Sequence, residues 1–287
     1  MEEQIEGPAF TRNWLAFKVT RAATPGVAVV HLCGPGRGNM MGLAFWAELP
    51  ELFGALDADD SVRAVVLAGA GKSFSTGLDV QEVLGSWLGK LGPGAQAQAA
   101  QRSELHGIIR GLQDSVTSLA SCRKPVIAAV HGWCIGGGVD LISAADVRLA
   151  SQDARFSIRE ARLAIVADVG SLQRLRGIIG EGQLRELALT AKDIDAQRAE
   201  KIGLVNDVFA DQEALMAAAL AMAGEMAANS PLAVAGTKMV LNEDREENIA
   251  RGLRHVALWN SSFLHSEDLI EAVTALGEGR PGVFTGK

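Results

Sequence analysis

Lys124-Pro125-Val126-Ile127-Ala128-Ala129-Val130-His131-Gly132-Trp133-Cys134-Ile135-Gly136-Gly137-Gly138-Val139-Asp140 reads as a buried strand, a tight turn and the start of a helix. Val126–Val130 is apolar at every position. A strand with one wet face alternates apolar and polar side chains, so an unbroken run belongs to a parallel sheet covered on both faces. Pro125 cannot continue a helix and marks the entry to the strand. Three consecutive glycines then allow close approach to the backbone. A helix start there offers free N–H groups and the positive end of the dipole to a ligand oxygen. On its own a Gly-Gly-Gly turn is most often steric relief, so the functional reading needs companions elsewhere in the chain.

Outward from this stretch, Ala64–Ala68 is a second fully apolar run, and Val147–Ala150 a weaker one interrupted by Arg148. Ala16–Thr20 and Val27–Leu32 read as strands joined by the turn Thr24-Pro25-Gly26. Leu105, Ile108, Ile109, Leu112, Val116 and Leu119 recur at helical spacing. Phe45–Leu56 reads as helical with a break at Pro50, followed by a turn over Asp57–Asp60. Strands alternating with helices predict parallel crossovers and an α/β core. Beyond about residue 170 the pattern becomes helical: Glu181–Thr190, Ala196–Lys201, Glu213–Ala228, Leu232–Leu241 and Asp268–Leu276, with one strand signal at Val205–Phe209. Leu215, Ala219, Met222 and Met226 form the packing stripe of one of these helices. Gly89–Gln98 reads as a flexible loop and the last residues as an irregular tail.

The 287 residues are 48% apolar and 21% charged, which excludes a disordered or highly charged tail protein. The longest wholly apolar run, Ala214 to Gly224, is too short to span a bilayer. A formal charge of −7 argues against attraction to nucleic acid or an anionic membrane. Cys33, Cys122 and Cys134 are too few for a disulfide framework. The N-terminus lacks a basic start and apolar core, and the chain does not end in Ser-Lys-Leu, so the expected location is cytoplasmic. Two glycine clusters imitate phosphate loops and fail on one position each: Val66 stands where the P-loop before Gly71-Lys72-Ser73 needs glycine, and Asn39 where the dinucleotide fingerprint of Gly34–Asn39 does. Ser75 follows Ser73 rather than a glycine two residues earlier, which excludes a nucleophile elbow. The five histidines lack metal-ligand spacing, so no metal site is expected. His131 reads as structural and Cys134 as a small buried filler.

The companions of the glycine turn occur in one order: Phe74-Ser75-Thr76-Gly77-Leu78-Asp79, then Lys124–Gly132, then Gly136-Gly137-Gly138-Val139-Asp140, then Phe156-Ser157-Ile158-Arg159-Glu160. Together they resemble the crotonase family, also called the enoyl-CoA hydratase/isomerase superfamily, from about Val27 to Asn242 with an echo in the tail. The resemblance implies an α/β spiral core of ββα units over residues 1–205 and a C-terminal helical trimerisation region over 206–287. It also implies an acyl-CoA thioester substrate, with coenzyme A as part of the substrate and no separate cofactor, and a homotrimer or homohexamer.

The family's shared step is stabilisation of a thioester enolate, whose oxygen gains charge as the α-proton leaves. Two backbone N–H groups aimed at that oxygen lower the barrier, and losing one such donor costs about 3–4 kcal/mol. The resemblance places these donors at Thr76 and Gly137, with Thr76, Gly77, Leu78, Asp79, Val80, Gly137, Phe284 and Lys287 contacting substrate. Arg37 is a further guess at the coenzyme A entrance.

Asp140 and Glu160 occupy the positions of the family's two hydratase carboxylates. Asp168, in Ala167-Asp168-Val169-Gly170-Ser171-Leu172-Gln173-Arg174-Leu175, adds a third acid. The trio resembles Δ3,5-Δ2,4-dienoyl-CoA isomerases of fatty-acid β-oxidation. Moving a proton between C2 and C6 of a conjugated thioester needs two acids flanking the acyl chain, here Glu160 and Asp168, with Asp140 tuning or orienting Glu160. Arg162 and Ala164 depart from that subfamily, where an acid and a glycine are common, and this bears on acyl-chain preference. The blander readings are a dipole-complementing first-turn Asp140, a surface ion pair for Glu160 between Arg159 and Arg162, and a helix N-cap for Asp168. The alternative function is an enoyl-CoA hydratase acting on water with Asp140 and Glu160. A remote one is a non-catalytic RNA-binding or assembly protein, which the acidic balance disfavours.

Overall fold

The computed structural model describes residues 7–83 and 99–287, with only the backbone of Arg37. The expected Gly89–Gln98 loop and the Arg37 side chain lie outside the described residues. Strands β1 (Phe17–Arg21), β2 (Val27–Leu32), β3 (Ala64–Gly69), β4 (Val126–Val130), β6 (Val147–Ser151) and β9 (Asp207–Phe209) form one six-stranded sheet in the order β1-β2-β3-β4-β6-β9. The pair β1–β2 is antiparallel and the other pairs are parallel, in register Val30↔Leu67, Leu67↔Ala128 and Ala128↔Arg148. A second, small sheet joins β5 (Trp133–Ile135), β7 (Arg155–Ser157) and β8 (Ile194–Asp195). Isolated parallel bridges Met41↔Leu78 and Ser75↔Cys134 continue this second stack. Each coil of the chain thus places one strand in the large sheet, a short extended piece in the second stack, and then a helix. This is the spiral of ββα units that the family resemblance implies.

The unbroken apolar strands are covered on both faces. Val29, Val66, Ile127 and Leu149 face helix Gln212–Ala228, which presents Leu215, Ala219, Ala223 and Ala227. The alanines bring the helix close to the sheet, and Met222 and Met226 pack partly buried beside that seam. Val30, Val65, Leu67 and Ala128 face the opposite way, into the main core with residues of helices Leu43–Ala58 and Ala99–Ser121. A division after residue 205 is therefore not a packing boundary: β9 is the edge strand of the large sheet and Gln212–Ala228 covers its face.

Two helices exceed their sequence expectations. Leu43–Ala58 runs through Pro50 without ending. Proline has no N–H to give the carbonyl four residues before it, and the Ser115 hydroxyl donates to that Trp46 carbonyl at 2.7 Å instead. Helix Pro231–Phe263 is 33 residues long and continues well past Leu241. Its middle, Asn242–Asn248, is polar and lacks an apolar stripe, but its glutamates and arginine are good helix formers. The buried stripe resumes with Leu253, Val256, Ala257 and Asn260. Among the described residues no helix is long and apolar enough to cross a membrane.

Candidate active site

The glycine turn ends β5 and opens helix Gly137–Ser143. Gly136 has φ of +52°, a left-handed conformation that a side chain disfavours. A Cβ there would also stand 3.2 Å from Glu160 Oε1. Gly77, at φ +85°, lies so close to the next coil that a Cβ would stand 2.7 Å from the Ile135 carbonyl. These two close approaches bring the Gly77–Leu78 and Gly136–Gly137 backbones together on the wall of one cavity of about 660 Å³. Asp140, Glu160 and Asp168 all line that cavity.

The two expected oxyanion donors have different fates. The Gly137 amide opens its helix, where an N–H has no intrahelical acceptor. The Thr76 amide is already used: it donates to the Gly38 carbonyl at 2.7 Å. The bridge to Met41 engages the Gly77 carbonyl and the Asp79 amide, and the Gly77 amide donates to Ser75 Oγ at 3.1 Å. Among the described residues, the Leu78 amide is the one in this strip without an acceptor, and Leu78 N lies close to Gly137. The paired free amides are therefore Leu78 and Gly137, and Thr76 is corrected to a wall residue.

The three acids sit in different settings. Asp140, in the first turn of its helix, is 1% exposed and accepts the Ser171 amide on Oδ1 at 2.6 Å. Burial raises its pKa, opposed by that amide and by the Arg174 guanidinium. Glu160 begins a short 3-10 turn, Glu160–Leu163. It makes no ion pair with its arginine neighbours: Arg159 pairs with Asp193 at 2.6 Å instead. Its Oε2 is buried without a hydrogen-bond partner. Burial first, then Asp140 and Asp168, raise the Glu160 pKa well above the ordinary carboxylate range. Asp168 is not a cap of the helix that follows, whose N-cap is Gly170. Its Oδ2 accepts Asn260 Nδ2 at 2.6 Å. Burial raises its pKa to about 7, with Asn260 opposing and Asp140 adding to the rise.

Around the carboxyls the cavity is apolar. Ile109 and Leu112 come from helix Ala99–Ser121, Leu163 and Ile165 from the acid-bearing stretch, and Leu264 and Leu276 from the C-terminal end. Ala164 takes φ of +54°, so the residue standing in for a glycine keeps the left-handed backbone. Leu78, Asp79 and Val80 line the wall as expected, and the Asp79 carboxylate is occupied by the Glu82 amide at 3.0 Å. Phe284 and Lys287 do not reach the cavity of their own chain. The tail folds onto helix Glu267–Glu278, with the Glu267 amide donating to the Lys287 carbonyl and the Thr285 amide to Asp268, each at 2.7 Å. His131 is buried with Nε2 3.0 Å from the Gly71 carbonyl, and burial raises the Cys134 thiol well above its usual pKa, as structural residues require. Among the described residues no three His, Cys, Asp or Glu side chains are grouped to hold a metal ion.

Several supporting residues carried no sequence expectation. Arg174, 3% exposed, donates to the Val169 carbonyl at 3.2 Å and to Thr117 Oγ1 at 2.9 Å near Asp140. Burial lowers its pKa to about 10. Gln113 donates to the carbonyls of Asp168 at 2.7 Å and Leu253 at 3.0 Å. Asn260 could have been found as a polar residue within an apolar helical stripe, had the helix been followed past Leu241.

The enoyl-CoA hydratase/isomerase family model matches residues 22–287. The mitochondrial Delta(3,5)-Delta(2,4)-dienoyl-CoA isomerase of Dictyostelium discoideum is 43% identical over 90% of this chain and 87% of its own. The peroxisomal Delta(3,5)-Delta(2,4)-dienoyl-CoA isomerase of Arabidopsis thaliana is 44% identical over 86% of this chain and 89% of its own. Among solved structures, an enoyl-CoA hydratase/isomerase from Mycobacterium paratuberculosis superposes with a TM-score of 0.77 at 29% identity, covering 90% of this chain and 97% of that one. The mitochondrial and peroxisomal relatives overturn the cytoplasmic expectation. An address is a short segment read by a receptor, so the same folded core stands behind different addresses.

Proposed function

We propose that this chain, which belongs to the enoyl-CoA hydratase/isomerase family, isomerises a 3,5-dienoyl-CoA to a 2,4-dienoyl-CoA in fatty-acid metabolism. The observation that carries the reading is three carboxyls on one apolar cavity beside two free amides: Asp140, fully buried, and Glu160 and Asp168, partly buried. The thioester oxygen accepts from the Leu78 and Gly137 amides, which hold the charge of the extended enolate. Of Glu160 and Asp168, one takes the proton from C2 and the other returns a proton to C6. The double bonds move from C3 and C5 to C2 and C4, with no net change in oxidation state. Coenzyme A therefore enters only as part of the substrate, and no metal or redox cofactor is required.

A working pair must hold one ionised and one protonated member. Burial raises both, Asp168 to about 7 and Glu160 well above the ordinary carboxylate range, which brings a protonated member within reach near neutral pH. Hydration would instead need two carboxylates free to grip one water, and here an Asp140 oxygen is occupied by the Ser171 amide. The exposed Leu232, Met239, Val240, Leu241 and Phe263 of the long C-terminal helix support self-association as a trimer or hexamer.

The test is a side-by-side spectrophotometric assay of 3,5-dienoyl-CoA and 2-enoyl-CoA esters. The expected result is a 2,4-dienoyl product from the first and no 3-hydroxyacyl product from the second. Hydration without diene conversion would replace the isomerase with a hydratase.

A further inference from the structure

Helix Pro231–Phe263 buries one carboxamide against the candidate site. Asn260 is 2% exposed. Its Nδ2 lies 2.8 Å from the Val166 carbonyl and 2.6 Å from Asp168 Oδ2. A side-chain NH₂ carries two hydrogens, and both are used. Turning the amide over would set its oxygen against two acceptors, so Asn260 is locked as a donor. The backbone of Asp168 is held separately, by Gln113 on its carbonyl. Asp168 is thus gripped at its carbonyl and at one carboxyl oxygen by two buried amides from different helices.

We propose that Asn260 is a positioning residue that keeps Asp168 Oδ2 permanently an acceptor, so that the proton Asp168 exchanges with substrate is carried on Oδ1. The importance of that proton rests on the isomerase reading above. A hydrogen bond donated to one carboxyl oxygen also favours the ionised form. The other groups facing Asp168 act differently. Asp140, on the helix after the glycine turn, opposes its ionisation, and Asp168 in turn raises the pKa of Glu160. Arg174 is set against Asp140, and Arg110 is engaged by Gln113 Oε1 behind the Asp168 backbone. Asn260 is therefore the side chain that brings an N–H directly to this carboxyl.

The test is a carbon-13 NMR titration of Asp168 in the full, substrate-free protein, for the unaltered chain and for Asn260→Leu, which keeps the volume and removes both donors. The expected result is an upward shift of the Asp168 midpoint by about one to two pH units. The limb of the pH–kcat/KM profile that follows Asp168 should move with it. A midpoint unchanged within about 0.3 unit, against a one- to two-unit expectation, overturns the role. A purely structural residue would lower turnover evenly at all pH values and leave the midpoint in place. If Asn260→Leu does not fold, the unaltered protein supplies the measurement: both Nδ2 protons should resist exchange, and one resonance should follow the Asp168 titration. Free exchange, or no response to that titration, overturns the proposal. Because the titration needs no substrate, a shifted midpoint in a protein inactive on dienoyl-CoA would remove the proposed reaction and leave the Asn260 role standing.

Discussion

Replacing Asp168 with Asn should make the protein slower and, above neutral pH, more stable. The carboxyl titrates at about 7 in the fold against 3.8 when unperturbed, mainly because burial disfavours its charge. The folded state therefore holds a proton that the unfolded chain has released between these values. Stability contributed by this group is fully present below about pH 4 and is lost as pH rises through about 7. At about 1.36 kcal/mol per unit, the rise of roughly three units sets a ceiling near 4 kcal/mol on that loss. Water reaching the cavity lowers the real figure to about half. An Asn side chain keeps an oxygen to accept from Asn260 and carries no charge, so it escapes the loss. Urea unfolding at pH 5 and pH 8 should show Asp168→Asn gaining on the parent by about 1–2 kcal/mol between the two. Turnover of 3,5-dienoyl-CoA should fall by about 10²–10⁴-fold, with acyl-CoA binding retained. Near-normal turnover would refute the role of Asp168 as a proton carrier. An equal or smaller stability of Asp168→Asn at pH 8 would refute the claim that burial of its charge is what shifts it.

Two further outcomes follow from the backbone. Ser115→Ala should lower unfolding free energy by about 1–3 kcal/mol in denaturant titration, because the Trp46 carbonyl that Pro50 leaves unpaired then has no donor. Gly77→Ala should reduce kcat by about 10²–10³-fold, because its Cβ would push against the Ile135 carbonyl and separate the Leu78 amide from Gly137. In that variant the KM should change less than kcat, since the donors act on charge that develops only in the transition state.

The centre of the sheet was legible because β3 and β4 are buried at every position and so wrote themselves as unbroken apolar runs. What escaped was settled by partners distant in sequence. Pro50 reads as a break because the local pattern contains no replacement donor, and Ser115, on another helix, supplies it. The long C-terminal helix reads as ending at Leu241 because its middle makes polar contacts, such as Arg245 to the Arg174 carbonyl, rather than an apolar stripe, and the buried stripe returns only at Leu253. The division after residue 205 followed a real change in texture. Yet β9 and the helix after it belong to the large sheet, since a strand's hydrogen-bond partners do not depend on the texture around it.

The acids of the site were readable because their spacing is a side-chain pattern. The oxyanion donors were not, because a backbone amide has no letter of its own. Thr76 and Leu78 are two residues apart in the same strip, and only the neighbouring coil decides which N–H is spent. Gly38 takes that of Thr76, and the bridge through Met41 leaves that of Leu78.

The same distinction bears on the formal charge of −7, which counts Asp140, Glu160 and Asp168 as three full negatives. Three carboxylates around a forming enolate would repel the charge that the amides are placed to hold. Burial answers this by raising all three pKa values, Asp168 to about 7, so that each carboxyl holds its proton more readily than a free one. Arg174, itself buried, sets a positive charge against Asp140. The cavity is thus nearer to neutral than its composition, and this is what allows an acid-rich pocket to accept a negatively charged intermediate.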